Sequence, residues 1–350
     1  MRNIRNIFLF IVKIIAVFAA VAMLMSIMAC FVNPVKYWIF QLFGLFFNII
    51  LFTNIIILVV LRLAKSRFAY INFAVVIISL LYIGRFFQLS GNKVSANDET
   101  LKVITYNVHE FRNIDNPKQK SYNEITTFLL DENADIICMQ EYFETRGVAN
   151  QNEDLKKLYK HYQYTYGDYG GQKIFSKYPF ADKQHFNFAG TDVIFADINI
   201  DGKIVRTYSC HLQSTNFKPE STQQRLLDDN ANYGKELKHV VGNLRNAFIK
   251  RAKQAELIAK NIEQSPYPTI VSGDFNDTPM SYSYQKIRGE MNDTFIEAGS
   301  GMPNTYKKLF AILRIDYIFT HKTIATLEYS IAKKIKCSDH YPVVVKLKIK

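Results

Sequence analysis

Three long apolar runs occupy the first quarter of the chain, at residues 7–32, 38–61 and 68–89. Each run contains enough apolar residues to cross the hydrocarbon core of a bilayer, roughly 30 Å thick, as a helix. The pattern therefore predicts three transmembrane helices. A removable signal peptide would explain only the first run, because two further apolar runs follow it.

Beyond these runs, the pattern changes to short apolar and β-branched segments separated by polar residues. Long helical patterns occur only at residues 118–132 and 223–263, and Gly242 in the second predicts an interruption into two helices. Many strands with few long helices are typical of an α/β protein built on packed sheets. The small, polar residues 91–100 are expected to link a membrane region, 1–90, to a domain at 101–350.

The charge distribution separates the same two regions. Residues 1–90 contain eight basic residues and no acidic residue, so they carry +8 of the formal net charge of +12. The rest of the chain carries only +4, and the overall excess is therefore no evidence of nucleic-acid binding. In the short membrane loops, five basic residues on one side outweigh three on the other. The positive-inside rule then predicts a multi-pass protein with a cytoplasmic N-terminus and an extracytoplasmic domain.

Polar side chains capable of binding metal or transferring protons stand where the strand-like segments begin, end or are interrupted. A carboxylate among apolar neighbours is costly to bury unless a cation or hydrogen bonds compensate. One polar strand end has no special meaning, but six such segments indicate convergence on one site. The residues are Asn107, Glu141, His211, Asp274, Asn276, Asp316, Asp339 and His340.

The chemistry of this set favours a hard divalent cation. Carboxylate and amide oxygens are the ligands preferred by Mg²⁺ and Mn²⁺. The four cysteines have no paired spacing, which argues against a zinc site and a disulfide framework. A hard cation beside imidazoles suits phosphoryl chemistry, in which it neutralises developing charge on phosphate oxygens.

Three motifs, GDFN, RIDYIF and SDH, occur in this order with five others before them: ITYNVH, ICMQE, GGQKIFSKYPF, YSCHLQS and a helix with Arg251 and Gln254. In these motifs the chain resembles the endonuclease/exonuclease/phosphatase superfamily, the DNase I-like metal-dependent phosphoesterases, over about residues 101–350. The resemblance implies a four-layer α/β sandwich, with two packed mixed β-sheets flanked by helices.

The resemblance also implies a metal site. Glu141 would hold the catalytic Mg²⁺ or Mn²⁺, with Asn107 and Asp339 near it. His109 stands where some nucleases of the superfamily carry an acidic residue, so it is not counted as a ligand and a second metal ion stays open. Tyr169 is a candidate substrate-binding residue, with packing as the alternative.

The catalytic roles follow from the same resemblance. Asp274 would align and activate the attacking water, and Asn276 would position water or phosphate. Asp316 would orient His340 on the scissile phosphate. His211 would contact phosphate and assist the departure of the leaving group.

These expectations together describe a membrane-anchored, metal-dependent phosphoesterase that cleaves a phosphodiester, either lipid-linked or in nucleic acid. An extracytoplasmic nuclease is one alternative. A catalytically silent binding or scaffold protein of the same fold is another, although the motif residues that such a protein would be expected to lose are all present. The expected partners are the substrate and the lipid bilayer, and no protein partner is predicted.

Overall fold

The computed structural model describes residues 2–91, 100–116, 118–143, 152–167, 171–188, 191–215, 233–308 and 313–350. Tyr169 and most of the predicted linker, residues 92–99, lie outside the described residues.

Within residues 2–91, five helices precede the first strand: α1 (Arg2–Met28), α2 (Pro34–Tyr37), α3 (Ile39–Leu45), α4 (Phe47–Leu63) and α5 (Ala69–Ile83). Two buried asparagines join three of them. Asn72 Nδ2 on α5 lies 2.8 Å from Asn54 Oδ1 on α4 and 3.3 Å from the Ala16 oxygen on α1. Asn54 Nδ2 in turn donates to the Ala19 oxygen at 3.0 Å. These bonds tie α1, α4 and α5 into one bundle, because buried amides require partners.

The prediction of three transmembrane helices is wrong. Within the described residues, one stretch, Asn6–Met28, is long and apolar enough to cross a membrane. Helices α3 and α4 would make a second span only as a pair, and they are bent by 71° at their junction. The 15 residues of α5 extend only about 22 Å at 1.5 Å per residue. Hydropathy identifies apolar segments, but it does not show where a helix bends or ends.

The bend between α3 and α4 lies against the domain that follows. A Cβ on Gly44 would lie 2.6 Å from the Met280 backbone oxygen, so only glycine permits this approach. Gln41 Oε1 accepts a hydrogen bond from the Tyr282 N–H at 3.2 Å. Arg85 Nη1 donates to the Pro279 oxygen at 2.8 Å. The helical region therefore packs directly on the second part of the chain.

The described residues contain twelve strands: β1 (Leu101–Asn107), β2 (Ile136–Tyr142), β3 (Tyr164–Tyr166), β4 (Gly171–Ser176), β5 (Phe180–Phe188), β6 (Thr191–Ile200), β7 (Lys203–His211), β8 (Thr269–Asp274), β9 (Asn292–Asp293), β10 (Asp316–Thr320), β11 (Ile324–Ile331) and β12 (Val343–Ile349). They form two six-stranded sheets, in the orders β11-β12-β1-β2-β4-β3 and β5-β6-β7-β8-β10-β9. Both sheets are mixed, because β1 and β2 are parallel, as are β7 and β8, whereas the other neighbours are antiparallel.

The two sheets pack face to face, and helices cover their outer faces. Side chains such as Val103, Ile136, Ile194 and Ile270 fill the space between the sheets. The other α-helices of the described residues are α6 (Tyr122–Glu132), α7 (Glu153–His161), α8 (Tyr233–Glu263), α9 (Tyr282–Arg288) and α10 (Thr294–Ala298). Helices α6 and α7 pack on the first sheet, and α8 and α9 pack on the second. The expected sandwich of two mixed sheets flanked by helices is confirmed.

The two long helical patterns have different outcomes. The first forms α6, which ends where Asn133 adopts a left-handed conformation, φ 48°. The second forms α8 without a break, so the interruption predicted at Gly242 is wrong. A glycine costs only about 1 kcal/mol inside a helix, and burial of the helix face around Phe248 and Ala252 outweighs that cost. Residues 223–232 of this pattern lie outside the described residues.

Candidate active site

Five strands bring polar side chains to one edge of the sandwich. Parallel strands end at the same edge of a sheet, so Asn107 and Glu141 meet in the first sheet, and His211 and Asp274 meet in the second. Strand β10 runs antiparallel to β8 and begins at this edge, with Asp316 paired opposite Asp274. The sheet topology therefore gathers residues that are far apart in sequence.

Asn107 connects the two sheets at this edge. Its Nδ2 donates to Glu141 Oε1 at 3.1 Å and to Asp274 Oδ2 at 3.0 Å. His211 Nε2 lies 3.7 Å from the same two carboxylate oxygens. The Asn107 amide and the His211 imidazole therefore each lie next to two carboxylates, one from each sheet.

Glu141 is turned into the site by an irregularity in its strand. The register between β2 and β4 shifts between Gln140 and Tyr142, and Glu141 has φ 53°. Such a bulge re-aims a side chain that a regular strand would direct elsewhere. Burial raises the pKa of Glu141, but hydrogen bonding to His109 and the charge of His211 outweigh this and lower the pKa to about 2. The carboxyl group is therefore held in its ionised, metal-binding form.

Asp316 and His340 form a buried pair. His340 Nδ1 lies 2.9 Å from Asp316 Oδ2 and 3.1 Å from Oδ1. An ionised carboxylate only accepts hydrogen bonds, so Nδ1 carries the proton, and Nε2 faces Asp274 Oδ2 at 3.7 Å. Burial alone lowers the pKa of His340, but the charges of Asp316 and Asp274 outweigh it, so the pKa is raised. The pair fixes the imidazole orientation and favours its cationic form.

The turn after β8 holds Asp274 and Asn276 together. The Asn276 N–H donates to Asp274 Oδ1 at 2.7 Å, and its Nδ2 donates to the Leu212 oxygen at 3.0 Å. Gly273 has φ +142°, and a Cβ there would lie 1.9 Å from the Cys210 oxygen. Burial raises the pKa of Asp274, and the neighbouring charge of His340 offsets this only in part. The GDFN motif thus supplies a tightly placed carboxylate with increased basicity.

A second group of donors lies beside Glu141. His109 Nδ1 is 3.5 Å from Glu141 Oε2 and 3.5 Å from Asp339 Oδ1. Asp339 Oδ1 and His211 Nε2 are buried atoms without a hydrogen-bond partner among the described residues. Buried polar atoms are normally hydrogen-bonded, so both atoms are available to a further partner. The oxygen-rich donor set, with Asn107, fits a hard divalent cation.

Another group of residues, Asp274, Asp316 and His340, could hold a metal ion, because their candidate ligand atoms lie within 4.8 Å of one another. The hydrogen bond between Asp316 and His340 already uses the Nδ1 proton. The carboxylates of Glu141 and Asp339, which both lie 3.5 Å from His109 Nδ1, are a second place where a cation could bind.

The structure brings together eight of the nine residues singled out from the sequence: Asn107, Glu141, His211, Asp274, Asn276, Asp316, Asp339 and His340. Tyr169, the ninth, lies outside the described residues. His109 was not counted as a ligand, yet it lies between two predicted metal ligands. Its position two residues after Asn107 was the only available signal.

A sandwich of two mixed sheets, with carboxylates, amides and imidazoles gathered at one edge, is the architecture of the phosphoesterase fold class. Residues 104–340 match the model of the Endonuclease/Exonuclease/phosphatase family, and the chain belongs to this family. Residues 6–86 match a second model, described as a domain of unknown function (DUF8431). Among curated proteins, no significant match was found.

Several solved structures share the fold. An endonuclease/exonuclease/phosphatase from Bacteroides vulgatus is 20% identical, with a TM-score of 0.52 over 72% of this chain and 100% of that one. Humanized D. rerio TDP2 is 17% identical, with a TM-score of 0.51 over 71% and 99% of the two chains. D. rerio TDP2 complexed with single strand DNA product is 17% identical, with a TM-score of 0.50 over 72% and 100%. At these identities, the likeness establishes the fold alone.

Proposed function

We propose that the chain is a membrane-anchored, divalent-metal-dependent hydrolase of phosphodiesters. The observation that carries the proposal is the convergence of Asp274, His211 and His340 beside Glu141, with Asp274 Oδ2 3.7 Å from each imidazole. This arrangement offers a base, two groups that stabilise phosphate oxygens and a cation position in one cleft.

In this proposal, Glu141 would hold Mg²⁺ or Mn²⁺ together with Asn107 and Asp339. The cation, when bound, neutralises negative charge that develops on the phosphate oxygens. The unsatisfied Asp339 oxygen and the low pKa of Glu141 support the assignment. His109 lies close enough to both carboxylates to orient them.

The other residues divide the chemistry between the attacking and leaving sides. Asp274 takes a proton from water as the water oxygen forms a bond to phosphorus. Asn276 holds Asp274 in place, and His340, oriented by Asp316, stabilises the phosphate oxygens. The bond from phosphorus to the leaving oxygen breaks, and His211 donates a proton to that oxygen. The increased basicity of buried Asp274 suits the role of general base near neutral pH.

The membrane anchor is proposed for residues 1–90, with the catalytic domain at 101–350. Large apolar side chains are exposed along the helices, among them Phe18 at 70% and Phe52 at 65%. Exposed apolar surface of this extent is typical of contact with lipid. With one helix long enough to cross, Arg2 and Arg5 precede its apolar run, and Lys36 is the single basic residue within about 20 residues after it. This two-to-one excess favours a cytoplasmic N-terminus and an extracytoplasmic domain by the positive-inside rule.

Metal removal tests the proposed activity. The full chain in lipid nanodiscs should hydrolyse bis-p-nitrophenyl phosphate with Mg²⁺, lose this activity in EDTA, and regain it with Mg²⁺ or Mn²⁺. Full activity in EDTA, or recovery with zinc alone, would contradict the metal assignment. Absence of turnover would support the alternative of a silent binding protein.

An extracytoplasmic nuclease is the second candidate, and one structure of the same fold holds a single strand DNA product. The small net charge of residues 91–350 provides little support for binding long nucleic acids, which depends on many phosphate contacts. A panel of nucleic acid, sphingomyelin, phosphoinositide and glycerophospholipid substrates separates the candidates.

A further inference from the structure

A cavity of about 350 Å³ lies between the N-terminal helices and the catalytic domain. The bend of α3 and α4 forms one wall and α8 forms another, while loops of the catalytic edge form the end. Eleven of its nineteen lining residues are apolar or aromatic, among them Leu45, Phe46, Ile49, Val240, Leu244 and Phe248. A volume of this size is within the usual range of ligand pockets.

The charged groups that line the cavity are neutralised. Arg251 Nε lies 3.0 Å from Asp277 Oδ2. Arg314 Nη1 lies 2.9 Å from Asp293 Oδ2. Because each of these guanidinium groups already has a carboxylate partner, the cavity suits an uncharged, apolar group rather than a second phosphate.

The cavity connects the catalytic residues with the apolar helices. At its inner end, Asn276 contacts Asp274, and the ring of Tyr306 lies 4.9 Å from the ring of His340. At its outer end lie Phe46 and Ile49, which are 49% and 55% exposed on helices of the proposed membrane region.

We propose that this cavity holds the hydrocarbon chain of a membrane-lipid phosphodiester, while the phosphate of that lipid lies at the catalytic residues. The inference rests on the proposed function and names its substrate class. Two features support it: an apolar lining with paired charges, and continuity from lipid-facing helices to the phosphate-cleaving edge. The hydrophobic effect then contributes to substrate selection, by about fourfold in affinity for each methylene buried.

The test compares two substrates with the same leaving group, methyl p-nitrophenyl phosphate and octyl p-nitrophenyl phosphate, using the full chain in nanodiscs. Leu244→Trp fills the cavity from α8, and Leu237→Trp is its matched control. Leu237 lies two turns away on the same helix face, is 64% exposed, and does not line the cavity. Ile49→Trp fills the cavity from α4, and Ile56→Trp is the corresponding control.

The expected result is a selective loss of activity on the octyl ester. Leu244→Trp and Ile49→Trp should reduce the ratio of kcat/KM for the octyl and methyl esters at least tenfold, because they exclude two or more methylenes. Both control variants should keep this ratio within about threefold. Partitioning of the octyl ester into the nanodisc bilayer affects the cavity variants and the control variants equally. A difference in the octyl-to-methyl ratio between them therefore reports on the cavity itself.

Retained methyl-ester hydrolysis in every variant would establish folding and the proposed activity independently of the cavity. With that activity intact, equal octyl-to-methyl ratios in cavity and control variants would overturn the lipid-chain inference while leaving the proposed function in place. Cleavage of single-stranded DNA together with a flat response to chain length would overturn it in favour of a nucleic-acid substrate. Failure of the unsubstituted chain to hydrolyse either ester would overturn both proposals.

Discussion

At the scale of single residues, the proposed reaction depends most on Asp274 and His340. Asp274 Oδ2 lies 3.7 Å from His340 Nε2. Both side chains are buried. The charge of Asp274 raises the pKa of His340, and the charge of His340 lowers the pKa of Asp274. Each is proposed to act mainly in the transition state, so removing either should affect kcat more than substrate affinity.

Asp274→Asn and His340→Ala should each lower kcat on bis-p-nitrophenyl phosphate at least about 100-fold. Asp316→Asn should cost less than His340→Ala, because it misorients the imidazole without deleting it. Asp131→Asn and His321→Ala change exposed residues and serve as controls. Circular dichroism and thermal unfolding must show folded variants, and near-normal turnover of folded Asp274→Asn would refute the proposed mechanism.

Glu141→Gln should lose activity chiefly by weakening the binding of the cation. Raising the Mg²⁺ concentration should therefore restore part of the rate of Glu141→Gln and little of the rate of Asp274→Asn. The measurement is kcat/KM as a function of Mg²⁺ concentration. Equal rescue of both variants, or of neither, would contradict the separation of the metal site from the general base.

At the scale of elements, the hydrogen bonds of Asn54 and Asn72 hold three apolar helices together. Asn72→Ala should lower the free energy of unfolding of the bundle by about 0.6 kcal/mol, and by at most about 1.7 kcal/mol, which are the average and the maximum measured for hydrogen bonds between helices of a membrane protein. Thr53→Ala should have a smaller effect, because Thr53 is exposed and bonds only to the Ile49 oxygen of its own helix. Denaturant titration in detergent compares the two, and equal stability would refute the role assigned to Asn72.

At the scale of the whole molecule, the proposed orientation depends on one membrane-crossing helix, Asn6–Met28. A single crossing with a cytoplasmic N-terminus places the catalytic domain outside the cytoplasm, as the three predicted helices would also have done. Alkaline phosphatase fused after Lys350 should therefore be active, and green fluorescent protein fused there should not fluoresce. A fluorescent fusion would show that the bent pair crosses as a second span, or that the charge rule fails here.

The sequence by itself determined most of the strands and the family, and it predicted the residues of the candidate site. The strands that end at Asn107 and Asp274 can be predicted from their own residues, because alternation of apolar and polar residues, β-branching and a polar last residue are local properties of the chain. The ordered motifs supplied the two-sheet sandwich and eight neighbouring residues of the site.

Only the tertiary structure decided features that depend on contacts between distant segments. The bend between α3 and α4 lies beside the close approach of Gly44 to Met280, and α8 runs unbroken through Gly242 with its later turns packed on the second sheet. His109 reaches Glu141 and Asp339 through the meeting of three separate segments. The cavity at Leu244 exists only where the apolar helices meet the catalytic domain. Local patterns record which residues a segment buries, whereas long-range packing decides what they are buried against.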